Sequence, residues 1–182
     1  MTQNELLNIM SEVKTKSFTY GVNWGFKALK FNLDSYIEDY NLNLNPTYQR
    51  GHVWSQEQQI AFIEALHRGL IKETIIKFNI PLFNIKENEN TGNESEATCI
   101  DGLQRLTALM EFQKGNFKIF DNRLSYQDFL ENNYSYGAPI FIEVYEINDR
   151  KELLKFYLDL NFGGKPHSQS EFNRISEEIN KL

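Results

Sequence analysis

Four residues capable of ligand chemistry cluster in the middle of the chain, where a short apolar run ends. They are Asp101, Gly102, Gln104 and Arg105. Leucine and methionine then recur at helical spacing up to residue 110, so the pattern predicts a strand, a tight turn and a helix. Such a turn presents free backbone N–H groups at the positive end of the helix dipole, and both favour a phosphate.

Each of the four residues suits a different part of a phosphate site. Gly102 has no Cβ atom, so a ligand can approach its backbone closely. Arg105 carries a planar, permanently charged guanidinium that matches phosphate oxygens. Asp101 can orient that guanidinium, hold a sugar hydroxyl or help to bind a metal. Gln104 can orient a water molecule or contact a polar ligand edge. The same short pattern also fits an Asp-Gly turn before an ordinary core helix with surface Gln and Arg.

Two further cations lie in loops beside predicted helix ends. Arg50 precedes Ser55, which has the spacing of a helix N-cap with Gln58 as its capping-box partner. The local sequence does not decide whether Arg50 is an ordinary surface residue or contacts an anion. Lys165 follows Gly163 and Gly164. These three residues form either a second phosphate contact or a plain turn between helices. On local sequence we favour the turn.

The composition bounds the class of protein. The 182 residues are 41% hydrophobic, which suits one well-packed domain and would be cramped for two. A formal net charge of −6 gives no support to DNA binding, although a local basic groove can survive such an average. The single cysteine excludes an internal disulfide, and three scattered histidines make a structural zinc site unexpected. The sequence has no apolar run long enough to cross a membrane, and its first residues are polar. We therefore expect a cytoplasmic location.

The elements that must position these residues can be predicted along most of the chain. Residues 1–30 show no clean period and are treated as an N-terminal extension, and residues 31–182 as one domain. Helices are predicted at 31–40, from Ser55 to Gly69, from Leu103 to Gly115, at 126–131, at 149–160 and after Ser168. Strands are predicted at 41–45, at 74–80, immediately before Asp101, at 117–120 and, in a central position, at 139–147.

The segment Asn84–Glu96 is nearly all polar and net acidic. This composition predicts a mobile hairpin loop, so the strands on its two sides should be antiparallel neighbours. Its acidity again points away from DNA. Cys99 lies inside the second of these strands and is predicted to be a small buried residue.

Three motifs, taken in order, resemble the amino-terminal domain of GmrSD-type modification-dependent restriction systems, a branch of the ParB/sulfiredoxin-like superfamily. They are Asn45-Pro46-x-Tyr48-Gln49-Arg50-Gly51-x-Val53-Trp54, Ile100-Asp101-Gly102-x-Gln104-Arg105-Leu106-Thr107-Ala108-Leu109, and Asn161-x-Gly163-Gly164 followed by Glu171. Three ordered motifs are far more specific than one. The resemblance implies an α/β (α+β) fold of ParB/sulfiredoxin-like type, a small mixed sheet flanked by helices in a single domain.

The resemblance also implies a nucleotide site at the Asp-Gly-Gln-Gln-Arg turn, and nucleoside triphosphate hydrolysis that controls an attached or partner DNA nuclease. The catalytic candidates are then Asp101, Gln104 and Arg105, and the nucleotide-binding candidates are Gln49, Arg50, Gly102, Arg105 and Lys165. Mg²⁺ is the expected cofactor because it bridges phosphates, although no residue is assigned as its ligand. The expected partners are a nucleoside triphosphate and a nuclease or defence complex.

One departure from the family motif bears on activity. Leu103 stands where the family has its first Gln, so a polar contact is missing and hydrolysis is in question. The alternative function is a non-catalytic module that senses nucleotide or modified DNA and controls or interferes with a partner nuclease. Leu103 also stands where sulfiredoxins carry a cysteine, which excludes their reaction. No nuclease constellation is visible in the sequence.

Overall fold

The computed structural model of the chain describes residues 18–48, 54–81, 95–132, 139–162 and 169–182, together with Thr2 and Glu5. The strands are β1 (Tyr20–Trp24), β2 (Thr74–Asn79), β3 (Thr98–Asp101) and β4 (Ile140–Tyr145). The α-helices are α1 (Leu29–Tyr40), α2 (Gln56–His67), α3 (Leu103–Gln113), α4 (Tyr126–Glu131), α5 (Arg150–Phe162) and α6 (Gln169–Lys181). A short 3₁₀ turn, Phe26–Ala28, precedes α1.

The four strands form one mixed sheet in the order β1-β4-β2-β3. β4 is antiparallel to β1 and parallel to β2, and β2 is antiparallel to β3. The predicted central position of β4 and the antiparallel pairing on either side of the acidic segment are therefore confirmed. The predicted α/β (α+β) fold, a small mixed sheet flanked by helices in a single domain, is also confirmed.

Helices cover both faces of this sheet, because its central strand β4 buries side chains on both sides. On one face, Ile142 and Val144 of β4 pack with buried residues of α1, α2 and α3. On the other face, Tyr145 packs with buried residues of α5 and α6. Cys99 is buried and free, as predicted. Among the described residues, no helix is both long and apolar enough to cross a membrane.

Local signals set several element boundaries as predicted. Ser55 caps α2 with the full capping box to Gln58, and the chain leaves that helix through Gly69 at φ +71°. A second capping box, between Ser125 and Asp128, starts α4 at the predicted residue.

Two predicted strands do not form. Asn41–Asn45 makes only a single parallel bridge, between Asn43 and Thr98. At 117–120 the chain turns back through Phe120, Asp121 and Asn122, all at positive φ, and only Ile119 and Leu124 form a bridge. In the first segment Asn41 is the C-cap of α1 at φ +53°, and the Asn43 side chain accepts a hydrogen bond from the N–H of Asn45, so only Asn43 pairs with β3. In the second segment the run of positive φ ends the pairing after one bridge.

The acidic segment ends in residues that are fixed in the fold. Ser95 is buried and accepts a hydrogen bond from Asn79 Nδ2 at 3.0 Å. Glu96 binds Arg150 at 3.0 Å and accepts a hydrogen bond from Asn43 at 3.2 Å. The prediction of a mobile loop is therefore wrong for these two residues, because they have long-range polar partners. The preceding residues, 84–94, lie outside the described residues.

Candidate functional site

The turn between β3 and α3 is made by Gly102 alone. Its φ of +93° lies in the left-handed region that side chains disfavour. A Cβ atom there would lie 3.0 Å from the carbonyl oxygen of Ile75 and 3.1 Å from Cα of Ile76. The missing side chain therefore makes room for the backbone of β2, and it also allows the sharp change from strand to helix.

This turn leaves the start of α3 without a capping side chain at its N-cap, since the N-cap residue is a glycine. The first hydrogen bond of the helix runs from the N–H of Leu106 to the carbonyl of Gly102, at 2.9 Å. The N–H groups of the first turn precede that bond and point out of the helix end, together with the positive end of the dipole. The strand, turn and helix predicted for this stretch are thus present.

Arg105 and Asp101 meet beside this helix end. Arg105 Nη2 lies 2.8 Å from Asp101 Oδ2, so the predicted contact between guanidinium and carboxylate is made. Their side chains are 31% and 43% exposed, which leaves both of them accessible to a ligand.

Gln104 connects this turn to the other motif. Its side-chain Oε1 accepts a hydrogen bond from the backbone N–H of Trp54 at 3.1 Å. Trp54 is the last residue of the sequence motif that contains Gln49 and Arg50. Arg50 and Gln49 lie outside the described residues, as does Lys165, and their predicted roles remain predictions.

The residues just before Gln49 are held by the C-terminal helices. Tyr48 is fully buried, and its ring lies 5.0 Å from that of Tyr157 in α5. Arg174 of α6 donates hydrogen bonds to the carbonyl oxygens of Thr47 and Tyr48, at 2.5 and 3.2 Å. Burial raises the pKa of the Tyr48 phenol above its ordinary value.

A charged row on the sheet adjoins the turn. Lys77 of β2 pairs across the strands with Asp101 on one side and Glu143 on the other. The Lys77 ammonium binds the Glu143 carboxylate, which also accepts a hydrogen bond from the Tyr145 hydroxyl at 2.9 Å. Burial raises the pKa of Tyr145, and the neighbouring charges of Glu143 and Asp101 raise it further. A bulge between Lys77 and Phe78 shifts the register at this point, a feature common beside functional sites.

Sequence reasoning missed this row. The signal that was available is the presence of Lys77 and Glu143 as the single charged residues inside two buried strands. A charge at such a position needs a partner, since an unpaired buried charge is costly.

The carboxylate at the turn would suit a magnesium ion that a bound nucleotide would mainly hold. Among the described residues, no group of three or more His, Cys, Asp or Glu side chains could hold a metal by itself. Mg²⁺ does not need such a cage, because it keeps waters and binds through one or two carboxylates together with substrate phosphates. Asp101 is the carboxylate at the turn that could serve.

Comparison with known proteins identifies the family. The family model of the GmrSD restriction endonuclease N-terminal domain matches residues 33–175, well over half of the chain. The searches of curated proteins and of solved structures found no match to the chain. The matched region contains the Gly102 turn, Gln104 and Trp54. The chain therefore belongs to the family of GmrSD restriction endonuclease N-terminal domains, which links it to restriction systems.

Proposed function

We propose that this domain binds a nucleoside triphosphate at the turn between β3 and α3, hydrolyses it slowly, and thereby controls a partner nuclease. The observation that carries the proposal is the glycine-capped start of α3 with the Arg105 guanidinium held beside it by Asp101. Membership in a restriction family supports the link to a nuclease partner.

Phosphate binding would use two sources of positive charge. The N–H groups of the first turn of α3 supply directed donors, and Arg105 supplies a charge-assisted pair of donors. Arg50 supplies a second guanidinium in this proposal, and its support is the sequence motif that ends at Trp54. Gln49 and Lys165 remain further candidates from the sequence.

Hydrolysis would transfer the terminal phosphoryl group to water. The water oxygen bonds to the γ-phosphorus and loses a proton to solvent, and the bond from that phosphorus to the bridging oxygen breaks. The products are the nucleoside diphosphate and inorganic phosphate. Such a reaction depends mainly on positioning and on stabilising the spread of negative charge. Arg105 and Arg50 would stabilise that charge, which Mg²⁺ also reduces when it is bound with the nucleotide.

The attacking water must be oriented by a nearby acceptor. Asp101 and Gln104 were both candidates for this role. Oε1 of Gln104 already accepts the N–H of Trp54, whereas Asp101 is 43% exposed and binds Arg105 through Oδ2. These contacts favour Asp101 as the residue that orients the water.

The second candidate function is a non-catalytic sensor, and Leu103 favours it. Where the family motif has its first Gln, this chain places an apolar side chain that is only 3% exposed and belongs to the hydrophobic core. The polar contact of the motif is thus replaced by packing. A sensor of this kind would bind nucleotide or modified DNA without turnover.

Two measurements separate these functions. Thermal unfolding with each of the four ribonucleoside triphosphates and Mg²⁺ should show a raised melting temperature for at least one, because a ligand that binds only the native state stabilises it. Phosphate release with that nucleotide should then be detectable and should be lost in Asp101→Asn, which should still bind. Binding without release would favour the sensor. If no nucleotide shifts the melting temperature or binds in calorimetry, the proposal is wrong.

A further inference from the structure

Lys77 is a largely buried cation that the proposed hydrolysis does not use. Its side chain is only 18% exposed, and it lies within β2, between β3 and β4. Its ammonium binds the carboxylate of Glu143, whose side chain is 11% exposed. Replacing both partners of a buried ion pair by apolar side chains is often neutral or stabilising, so folding alone does not require such a pair. Its position beside the turn therefore points to a role in the site.

A β-bulge brings Asp101 opposite Lys77. The preceding residues of β3, Cys99 and Ile100, belong to the clusters on opposite faces of the sheet. Strict alternation would return the Asp101 side chain to the face of Cys99. The register shifts at this point instead, and Asp101 pairs directly with Lys77. Because directly opposed residues of antiparallel strands share a face, the bulge re-aims Asp101 to the face that carries Lys77.

The Lys77 ammonium keeps hydrogen-bonding capacity for a ligand. An ammonium has three N–H donors, and one of them binds Glu143. The Tyr145 hydroxyl lies 3.4 Å from Nζ, which makes it a weak second acceptor. Among the residues that the structure describes, no other group accepts a hydrogen bond from this ammonium. A cation in such a partly dry position attracts an anion more strongly than one in water does.

We propose that Lys77 is a further phosphate contact of the nucleotide site, and that Glu143 is the partner of its ammonium in the ligand-free protein. The inference rests on the proposed function for the location of the phosphates. Asp101 binds Arg105 and lies opposite Lys77, so both cations border the same carboxylate. Neighbouring strands are only about 4.7–4.9 Å apart, so the long Lys77 side chain can meet a phosphate bound beside Asp101.

The competing explanation is that the pair of Lys77 and Glu143 only holds β2 against β4. Two variants separate these explanations, because both lose the ion pair but only one loses the cation. Glu143→Gln keeps the Lys77 ammonium, and Lys77→Met/Glu143→Gln removes it. Lys114→Gln/Glu111→Gln is the matched control, since it removes an ion pair of 2.8 Å at the C-terminal end of α3, the helix that carries Arg105.

The first experiment measures by calorimetry how tightly each variant binds the nucleoside triphosphate that binds to the unaltered protein. Glu143→Gln should bind it about threefold more tightly, because the carboxylate that competes with the phosphates for the ammonium is gone. Lys77→Met/Glu143→Gln should bind it about tenfold more weakly than the unaltered protein, as for the loss of one charge-assisted hydrogen bond. The control should bind as the unaltered protein does. Equal affinities of Glu143→Gln and Lys77→Met/Glu143→Gln overturn the proposal.

The second experiment uses the unaltered protein and inorganic phosphate, so it separates this inference from the proposed function. NMR spectra of the lysine ammonium groups are recorded during a phosphate titration, and the Lys77 signal is identified by its absence in Lys77→Met/Glu143→Gln. We expect this signal to shift in a saturable way, and the Lys114 signal to stay in place. A Lys77 signal that moves with neither phosphate nor nucleotide overturns the proposal, even where calorimetry confirms nucleotide binding. A saturable shift with phosphate in a protein that binds no nucleotide retains Lys77 as an anion contact and rejects the proposed function.

Discussion

The guanidinium of Arg105 lies 2.8 Å from the carboxylate of Asp101, four residues earlier in the chain. Both side chains are partly exposed, so water screens the pair and its contribution to folding stability is modest, about 0.2–1 kcal/mol. Its geometry matters more than its energy, because it holds a cation beside the start of α3.

Arg105→Ala should weaken nucleotide binding and leave the fold intact. The loss of a charge-assisted contact corresponds to about 1.5–3 kcal/mol, or ten- to a hundredfold in affinity. Calorimetry measures the affinity and thermal unfolding the stability. Arg68→Ala is a matched control, because Arg68 also pairs with a carboxylate four residues away, that of Glu64 at 3.2 Å. Unchanged affinity in Arg105→Ala would remove this residue from the site.

Arg50 and Arg105 should share one ligand. Each single substitution to alanine should weaken nucleotide binding, and the double variant should lose less than the sum of the two losses, since residues that contact one ligand are coupled. A double-mutant cycle by calorimetry measures the coupling. Strictly additive losses would mean that the two guanidinium groups act at separate places.

Gly102→Ala should destabilise the domain more than Gly115→Ala does. Both glycines have positive φ, +93° and +78°, but a Cβ at 115 would meet nothing within 4 Å. We therefore expect about 1 kcal/mol at 115 from the backbone alone, and about 2–4 kcal/mol at 102, where the clash with β2 is added. Urea unfolding measures both values. Equal losses would show that β2 moves aside without cost.

Lys77→Met should destabilise the domain by about 3–5 kcal/mol, because it leaves the carboxylate of Glu143 buried without its cation. The double variant Lys77→Met/Glu143→Gln should regain most of that loss, since no charge then remains unpaired. Urea unfolding of the two variants tests this. If the double variant is no more stable than the single one, the loss comes from packing and not from charge.

His67 should make stability depend on pH. Burial lowers the pKa of its imidazole below the ordinary value of 6.5, so the folded state favours the neutral form. This contribution is fully present above pH 6.5 and is lost as the pH falls through the folded pKa, because the unfolded chain takes up the proton first. His67→Phe keeps an aromatic ring against Phe129, whose ring centroid lies 4.6 Å away, but cannot titrate. Below pH 6.5 the unaltered protein should therefore lose more stability than this variant, as measured by urea unfolding.

The sequence by itself determined the features that depend on neighbours a few residues apart. Ser55 caps α2, Ser125 caps α4, and Gly102 makes the turn into α3, because caps and turns are set by local hydrogen bonds and local backbone freedom. The apolar alternation of β4 predicted a buried central strand. The ordered motifs predicted the family, which the family match to residues 33–175 confirms.

Only the tertiary structure decided which distant segments meet. β1 joins the sheet from a stretch with no clear pattern, because β4 supplies its partner backbone. Asn43 forms a single bridge where a strand was predicted, and Ser95 and Glu96 are fixed by partners on other elements. Lys77 meets Glu143, and Trp54 meets Gln104, across 66 and 50 residues of sequence. Such contacts depend on how the sheet and helices assemble, and no local pattern contains that information.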